Sequence, residues 1–353
     1  MTNTSEYIKI KITSPYGPSP GLRQSPQNKG IWGNCQFFLN ESVEECDFWF
    51  IIDDVSISTM EPQSLICGFP PICVLMEYPS IRPDPNQKFL AQFDQVISFG
   101  RQLKHPNVRD NIALFGWFVG IEFTPEGGWR EGYKIYDDFV DPLQKPQKSK
   151  LISVISSNKA FTEGHRKRLE FVGILQDHFQ DQIDVYGRGI KDFADKWDVI
   201  APYKYHIALE NCNCINGTSE KLYDAFLGET FPIYYGCPNV LDYFPQDALA
   251  IIDITKPEQA IKIIEEVIAA ETYEKSSAAI ANAKDLVLHK YNSFPFLTEI
   301  CETLYAQKSS HNKRKYTIYP EACFTSSWKT RIKHNLRQAK NWLIQSNKTN
   351  NKS

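Results

Sequence analysis

Short apolar runs separated by polar turns fill the first part of the chain and predict the strands of an α/β sheet. Such runs occupy residues 7–12, 46–54, 70–79 and 93–100. The middle two contain the uninterrupted apolar sequences FWFII and ICVLM, which are typical of strands buried on both faces of a parallel sheet. The Pro-rich stretch 14–30 predicts an irregular loop between the first strands.

Strand and helix patterns alternate more regularly in the second part of the chain. A polar, Pro-broken stretch at 141–150 separates the two parts and predicts a domain boundary. Alternating strands and helices with short connections predict a doubly wound, largely parallel sheet. The strands are predicted at 151–157, 183–187, 206–211, 231–236 and 248–253, and the helices at 164–178, 219–227, 256–270 and 271–291.

The predicted fold class is therefore α/β, with two Rossmann-like domains. A chain of 353 residues is long for one compact core, which also favours two domains. We expect an N-terminal domain over 1–145, a second domain over 150–307 and a C-terminal tail over 308–353. In such folds a ligand binds at the carboxyl ends of the strands, so we expect a cleft between the two domains.

Charge is distributed unevenly along the chain, although the composition is that of an ordinary soluble protein. From Lys308 onward there are eleven Lys or Arg against one Glu, whereas the preceding chain has 28 basic and 41 acidic residues. Because this body is acidic, we expect no nucleic-acid partner. The tail predicts a basic amphipathic helix that either lies on an anionic membrane surface or docks on the body. Its apolar stripe consists of Trp328, Ile332, Leu336, Ala339 and Leu343.

The sequence indicates a cytoplasmic protein that would be peripheral at the inner membrane surface if the tail binds lipid. The N-terminal residues lack the basic start and apolar core of a signal peptide, and no run reaches the roughly 18 apolar residues that span a bilayer. The nine cysteines predict reduced thiols. Neither the Cys212 and Cys214 pair nor the adjacent Asp53 and Asp54 has further ligands nearby in sequence, so we predict no metal site.

The stretch 218–236, TSEKLYDAFLGETFPIYYG, begins like a helix that can bind an anion. Thr218 or Ser219 is a good N-cap, and the first turn of such a helix presents free backbone N–H groups. The preceding predicted strand ends at Glu210 and Asn211, across a short loop from that helix start. The sequence therefore places these residues where an α/β protein binds a phosphorylated ligand.

Four charged side chains near these positions are candidates for chemistry. Lys221 suits a phosphate and Glu220 suits sugar hydroxyls, unless Glu220 only stabilises the helix dipole and Lys221 is merely solvated. Arg168 lies near the start of the helix predicted over 164–178. Its planar guanidinium can donate paired hydrogen bonds to the oxygens of a diphosphate, although basic clusters of this kind usually lie on a solvent-exposed face. Glu77 follows a buried strand, where partial burial would raise the pKa of its carboxyl toward that of a general base, unless it faces solvent.

Residues 203–245, YKYHIALENCNCINGTSEKLYDAFLGETFPIYYGCPNVLDYFP, resemble the signature of the bacterial-type α-1,3/4-fucosyltransferases, glycosyltransferase family 10. The resemblance extends to SNKAFTEGHRKRLEFV and IDVYGRG, and more loosely to LMEYPS. It implies the GT-B fold, in which two Rossmann-like domains face each other across a cleft. It also implies an inverting transfer of fucose from GDP-fucose to a hydroxyl of a glycan acceptor.

The resemblance implies roles for individual residues as well. Arg168 and Lys221 match the residues that contact the donor diphosphate, and Glu220 matches a residue that contacts the sugar part. Because two cations and a helix N-terminus would stabilise departing GDP, we expect no required cofactor and at most a stimulatory divalent metal. The predicted donor-binding residues are Arg168, Glu210, Asn211, Ser219, Glu220 and Lys221, and the predicted catalytic base is Glu77.

The acceptor and the exact donor stay open at this point. The acceptor could be an oligosaccharide or a lipid-linked glycan. Where the family usually has an aromatic pair and Thr before Glu-Lys, this chain has Gly217, Thr218 and Ser219. This difference leaves two alternatives: a GT-B transferase that uses another nucleotide sugar, and a non-catalytic module that binds a saccharide or a nucleotide.

Overall fold

The computed structural model describes residues 7–16, 21–114, 116–124, 129–131, 134–156, 163–187, 189–307 and 312–325. Its strands, in chain order, are β1 (Ile8–Thr13), β2 (Ile31–Trp32), β3 (Cys35–Leu39), β4 (Glu45–Cys46), β5 (Phe48–Ile52), β6 (Gln63–Cys67), β7 (Ile72–Val74), β8 (Gln95–Ser98), β9 (Val108–Asp110), β10 (Ile121–Phe123), β11 (Trp129–Glu131), β12 (Lys150–Ile155), β13 (Ile183–Tyr186), β14 (Tyr203–Leu209), β15 (Phe231–Tyr235), β16 (Ala250–Ile251) and β17 (Arg314–Ile318). Its α-helices are α1 (Gln87–Leu90), α2 (Tyr136–Val140), α3 (Glu163–Phe179), α4 (Lys196–Ile200), α5 (Glu220–Leu227), α6 (Pro257–Ala269), α7 (Thr272–Lys275), α8 (Ser277–His289) and α9 (Ser293–Gln307).

The first part of the chain forms a seven-stranded sheet in the order β2-β3-β1-β5-β7-β8-β9. Its strands pair in parallel, except that β2 pairs antiparallel with β3. Four of the five residues of β5 are buried, because the sheet is covered on both faces and FWFII is apolar throughout. The four strands predicted from the apolar runs are thus confirmed as β1, β5, β7 and β8.

A second, wholly parallel sheet has the order β13-β12-β14-β15-β16. Successive side chains of a strand point to opposite faces, so Ile207 and Ala208 of β14 enter different cores. Helices α3 and α6 pack on the Ile207 face, and α5 and α8 pack on the Ala208 face. This arrangement confirms the doubly wound sheet. The helix predicted over 271–291 is instead two helices, α7 and α8, interrupted at Ser276.

After α8 the chain returns to the first sheet. Phe294, Leu297 and Ile300 of α9 pack into the core of that sheet, and the rings of Phe294 and Phe37 meet edge to face at 4.9 Å. Strand β17 pairs antiparallel with β6 of the first part. Hence α9, placed by sequence in the second domain, and β17, placed in the tail, both pack with the N-terminal part. The predicted domain limits otherwise stay a prediction.

Two other sequence predictions concern the membrane. The amphipathic helix predicted in the tail lies outside the described residues. Among the helices that the structure does describe, none combines the length and the apolar character needed to cross a bilayer.

Candidate active site

The carboxyl end of β14 meets the start of α5, as the sequence predicts. Glu210 and Asn211 follow β14 directly, and Ser219 is the N-cap of α5. The Glu210 carboxylate has no exposed surface and accepts hydrogen bonds from the Ser219 backbone N–H at 2.8 Å and the Ser219 hydroxyl at 2.7 Å. Glu210 therefore fixes the start of α5 through these hydrogen bonds to its N-cap. Its direct contact with a donor stays a prediction.

Lys221 lies between two carboxylates. Its Nζ is 3.3 Å from Glu210 Oε2 and 3.3 Å from Glu220 Oε1. Burial lowers the pKa of the Lys221 ammonium, but the two carboxylates outweigh that effect and raise this pKa above its ordinary value. The Lys221 and Glu220 side chains are 21% and 15% exposed, so both can meet a ligand, whereas the Glu210 side chain is fully buried in this arrangement.

Lys196 and Asp224, which the sequence analysis missed, complete this cluster. Lys196 Nζ lies 2.8 Å from Asp224 Oδ2 and 3.4 Å from Glu220 Oε1. Asp224 Oδ1 also accepts hydrogen bonds from the backbone N–H groups of Phe118 and Val119. Glu220 and Asp224 are four residues apart, so they share one face of α5. Two carboxylates on a buried helix face require a nearby cation. The spacing of Glu220 and Asp224 in the sequence could therefore have indicated that a basic residue such as Lys196 lies beside them.

The two lysines keep Glu220 ionised. Burial raises the pKa of the Glu220 carboxyl, but Lys221 and Lys196 outweigh it and lower this pKa to about 2. An ionised carboxylate only accepts hydrogen bonds. Glu220 is therefore able to accept hydrogen bonds from hydroxyl groups, and its contact with a donor sugar stays a prediction.

Arg168 joins the cluster from α3. Arg168 is 4% exposed, and its Nη1 donates a hydrogen bond to Asn211 Oδ1. Burial lowers the pKa of Arg168, and the carboxylates of Glu210 and Glu220 oppose that change. Gly164 allows this contact, because a Cβ at Gly164 would lie 1.8 Å from the carbonyl oxygen of Asn211. The close approach of α3 to β14 thus places Arg168 next to Asn211.

Glu77 lies in the first part of the chain, shortly after β7. Its carboxyl is partly buried, and this burial raises its pKa. The negative charges of Asp53 and Glu220 raise the pKa of Glu77 further, while Arg82 and Lys221 oppose the shift. The net effect is a raised pKa, which makes the carboxylate a better proton acceptor.

Glu77 and the donor cluster line two adjoining cavities. A cavity of ≈ 220 Å³ at the carboxyl ends of β1, β5 and β7 contains Glu77. A second cavity of ≈ 250 Å³ contains Arg168, Glu220 and Lys221. Phe118 lines both cavities, so they lie side by side. The wall of the first cavity is mostly apolar and includes Ile12, Leu39, Ile52, Val74, Leu114 and Leu297.

The loop before α5, where the sequence departs from the family pattern, connects the two halves. The Asn216 carbonyl accepts the Ala113 backbone N–H at 3.0 Å, and the Gly217 carbonyl accepts the Tyr78 hydroxyl at 3.1 Å. A Cβ on Gly217 would lie 2.8 Å from Cε1 of Tyr78. An aromatic side chain would therefore not fit at Gly217, since the Tyr78 ring occupies this space.

The cysteines and carboxylates of the described residues do not converge on a metal-binding arrangement. Over this part of the chain, no three His, Cys, Asp or Glu side chains come together in a way that could hold an ion. All nine cysteines are free thiols, and Cys212 and Cys214 are only partly buried.

Comparison with known proteins places the second part of the chain in one family. Residues 145–320 match the C-terminal part of glycosyltransferase family 10 (fucosyltransferase). A stretch of 61 residues is 31% identical to GDP-fucose protein O-fucosyltransferase 3 of Gallus gallus and covers 17% of this chain and 13% of that protein. A stretch of 71 residues is 31% identical to alpha-(1,3)-fucosyltransferase FucT of Helicobacter pylori and covers 20% of this chain and 15% of that protein. The matches thus span about one seventh of these curated relatives or less.

The fold is also found in a solved structure. A crystal structure of an alpha1,3-fucosyltransferase aligns over 88% of this chain and 93% of its own chain, with a TM-score of 0.51 and 15% sequence identity. At this level of identity the likeness shows the fold, which is GT-B, as predicted. The family match covers all six predicted donor-binding residues, from Arg168 to Lys221. Residues 145–320 of this chain belong to glycosyltransferase family 10, the fucosyltransferase family.

Proposed function

We propose that this protein is an inverting fucosyltransferase that transfers fucose from GDP-fucose to a hydroxyl of a glycan acceptor, as an α-1,3/4-fucosyltransferase. The observation that carries this proposal is the pair of adjoining cavities. One contains a partly buried carboxylate, Glu77, and the other contains two cations, Arg168 and Lys221, beside a helix start. The names of the two similar fucosyltransferases support fucose as the sugar.

The donor would bind against the start of α5. Lys221 and Arg168 would contact the diphosphate, and Glu220 would accept hydrogen bonds from the sugar hydroxyls. The acceptor oxygen attacks the anomeric carbon on the face opposite the diphosphate, and the bond from that carbon to GDP breaks. Glu77 takes the proton of the attacking hydroxyl, while Lys221, Arg168 and the helix N-terminus stabilise the negative charge that develops on GDP.

Those two cations also support a reaction without a required cofactor. In many phosphoryl and glycosyl sites a divalent ion neutralises the diphosphate, and here Lys221 and Arg168 would supply that positive charge instead. We propose that a divalent metal is at most stimulatory.

The acceptor would enter the cavity that contains Glu77. An oligosaccharide and a lipid-linked glycan both present hydroxyls to such a site, and the apolar wall around Leu39 and Leu297 suits an acceptor with apolar surface. Contact of the C-terminal tail with an anionic inner membrane surface stays a proposal that rests on sequence, because that segment lies outside the described residues.

GDP-fucose should be the preferred donor among nucleotide sugars. We expect GDP release from GDP-fucose in the presence of galactose- and N-acetylglucosamine-containing acceptors to exceed release from other GDP- and UDP-sugars by at least about 100-fold. A site built to hydrogen-bond its substrate can discriminate by as much as about 10⁴- to 10⁵-fold. Linkage analysis of the product would identify the acceptor hydroxyl. Equal or higher turnover of another nucleotide sugar would instead support the alternative GT-B transferase.

Gly164→Ala should weaken the binding of GDP. The added Cβ would collide with the Asn211 carbonyl oxygen, so the start of α3 must move and the contact between Arg168 and Asn211 is disturbed. A hydrogen bond to a charged group contributes about 1.5–3 kcal/mol, so we expect the Kd for GDP to rise by about 10- to 100-fold. Isothermal titration calorimetry measures this change.

Gly173→Ala is the matched control on the same helix. Beyond the backbone of its own helix, a Cβ at Gly173 would meet no atom within 4 Å. This variant should keep the affinity for GDP and stabilise the helix by roughly 0.5–1 kcal/mol. If both variants bound GDP like the original protein, the close approach of α3 would not matter for the donor site.

A further inference from the structure

Asp53 lies directly after β5, next to the segment that carries Glu77. Its backbone N–H donates to the Val74 carbonyl at 2.8 Å, and its Oδ1 accepts the Met76 backbone N–H at 3.1 Å. The backbone of Asp53 has a φ of +58°, a left-handed conformation that Asp and Asn adopt more readily than most residues. Asp53 therefore holds the chain on both sides of Leu75, just before Glu77.

The Asp53 carboxylate is buried with incomplete compensation. It has no exposed surface, and its Oδ2 has no hydrogen-bond partner of good geometry among the described residues. Arg82 Nη1 lies 3.3 Å from Oδ1, but the same guanidinium also binds Glu321 at 2.8 Å. A buried charge that shares its cation lowers stability relative to an apolar residue, which argues for another role. Asp53 lines the same cavity as Glu77.

We propose that Asp53 is a positioning residue for the Glu77 base: it fixes the backbone that carries Glu77 and keeps a second negative charge beside it. This inference rests on the proposed role of Glu77. Without the negative charge of Asp53, the positive charges of Arg82 and Lys221 near Glu77 would be less compensated. A carboxylate next to uncompensated cations accepts a proton less readily.

Charged groups act on Glu77 from several elements. After burial, the largest contribution that raises the pKa of Glu77 is the charge of Asp53, followed by that of Glu220 on α5. Arg82 and Lys221 lower it. Arg101 donates a hydrogen bond to the Glu77 carbonyl oxygen at 2.8 Å and is paired with Asp84. Burial, followed by the charge of Asp53, raises the pKa of the neighbouring Tyr16 to about 12, so this phenol is neutral near pH 7.

Asp53→Asn removes the charge of Asp53 and keeps the size and shape of its side chain. Asn keeps an oxygen that can accept the Met76 N–H and tolerates the left-handed conformation, but it carries no charge. We expect the pKa of Glu77 to fall by roughly 0.5–1 unit, and the acid limb of the pH profile of kcat/KM to move down by the same amount. NMR of the protein with ¹³C-labelled glutamate carboxyls measures the first quantity, since the Glu77 signal is assigned by its loss in Glu77→Gln.

Two further variants keep the experiment decisive. Asp54→Asn removes a charge one residue away, where the carboxylate accepts the backbone N–H groups of Val55 and Glu321, and should leave the titration of Glu77 in place. Arg82→Gln removes the opposing cation and should move the pKa of Glu77 upward. An unchanged titration of Glu77 in both Asp53→Asn and Arg82→Gln would overturn the inference. Because NMR needs no turnover, failure to transfer fucose would count against the proposed function and not against Asp53.

Discussion

Glu77→Gln is expected to lower the rate of fucosyl transfer by about 10²- to 10⁴-fold, the usual contribution of a general base. Gln has nearly the size and shape of Glu but cannot take a proton from the acceptor hydroxyl. Since Glu77 lies in the cavity next to the donor cluster, the contacts of Lys221 and Arg168 should stay as they are. We therefore expect the Kd for GDP to change little, as measured by calorimetry beside single-turnover rates.

An exposed carboxylate of the same half provides the control for this experiment. Glu61 is exposed and lies outside both cavities, so Glu61→Gln should keep full activity. If Glu77→Gln also kept full activity, another group would be the base. If the wild-type protein bound GDP but released no GDP from any nucleotide sugar, the alternative of a non-catalytic binding module would gain support.

The sequence predicted the parts of the site that local patterns determine. The apolar run of β14 and the N-cap at Ser219 are features of neighbouring residues, and they sufficed to place Glu210, Asn211 and Lys221 at one edge of the sheet. The sequence could not show that Glu210 is fully buried, because its carboxylate is covered by the start of α5 and not by neighbours along the strand.

The parts that were missed depend on contacts between distant segments. Lys196 and Asp224 are 28 residues apart, and Asp53 meets Met76 across a pair of strands. In sequence, Asp53 and Asp54 look like one acidic pair. In the structure they separate, since Asp53 lines the cavity and Asp54 holds the segment that contains Glu321. The return of α9 to the first sheet is likewise a long-range packing event, which no pattern inside α9 indicates.

Lys221→Met is expected to reduce both transfer and stability, for different reasons. If Lys221 stabilises the leaving diphosphate as proposed, its removal should cost about 10²- to 10³-fold in rate, the magnitude seen when one donor to a developing negative charge is lost. Glu210 would be left buried without its cation, although Ser219 still donates to it. Breaking such a buried pair destabilises proteins by about 3–5 kcal/mol, which urea unfolding would detect.

The double variant Lys221→Met/Glu210→Gln distinguishes the two effects. Gln at position 210 is neutral and still accepts the hydrogen bond from the Ser219 backbone N–H, so most of the lost stability should return. The rate should not return, because the double variant still lacks the ammonium group that we propose contacts the diphosphate. If transfer recovered together with stability, Lys221 would act only by neutralising Glu210, and Arg168 with the start of α5 would have to stabilise the departing GDP alone.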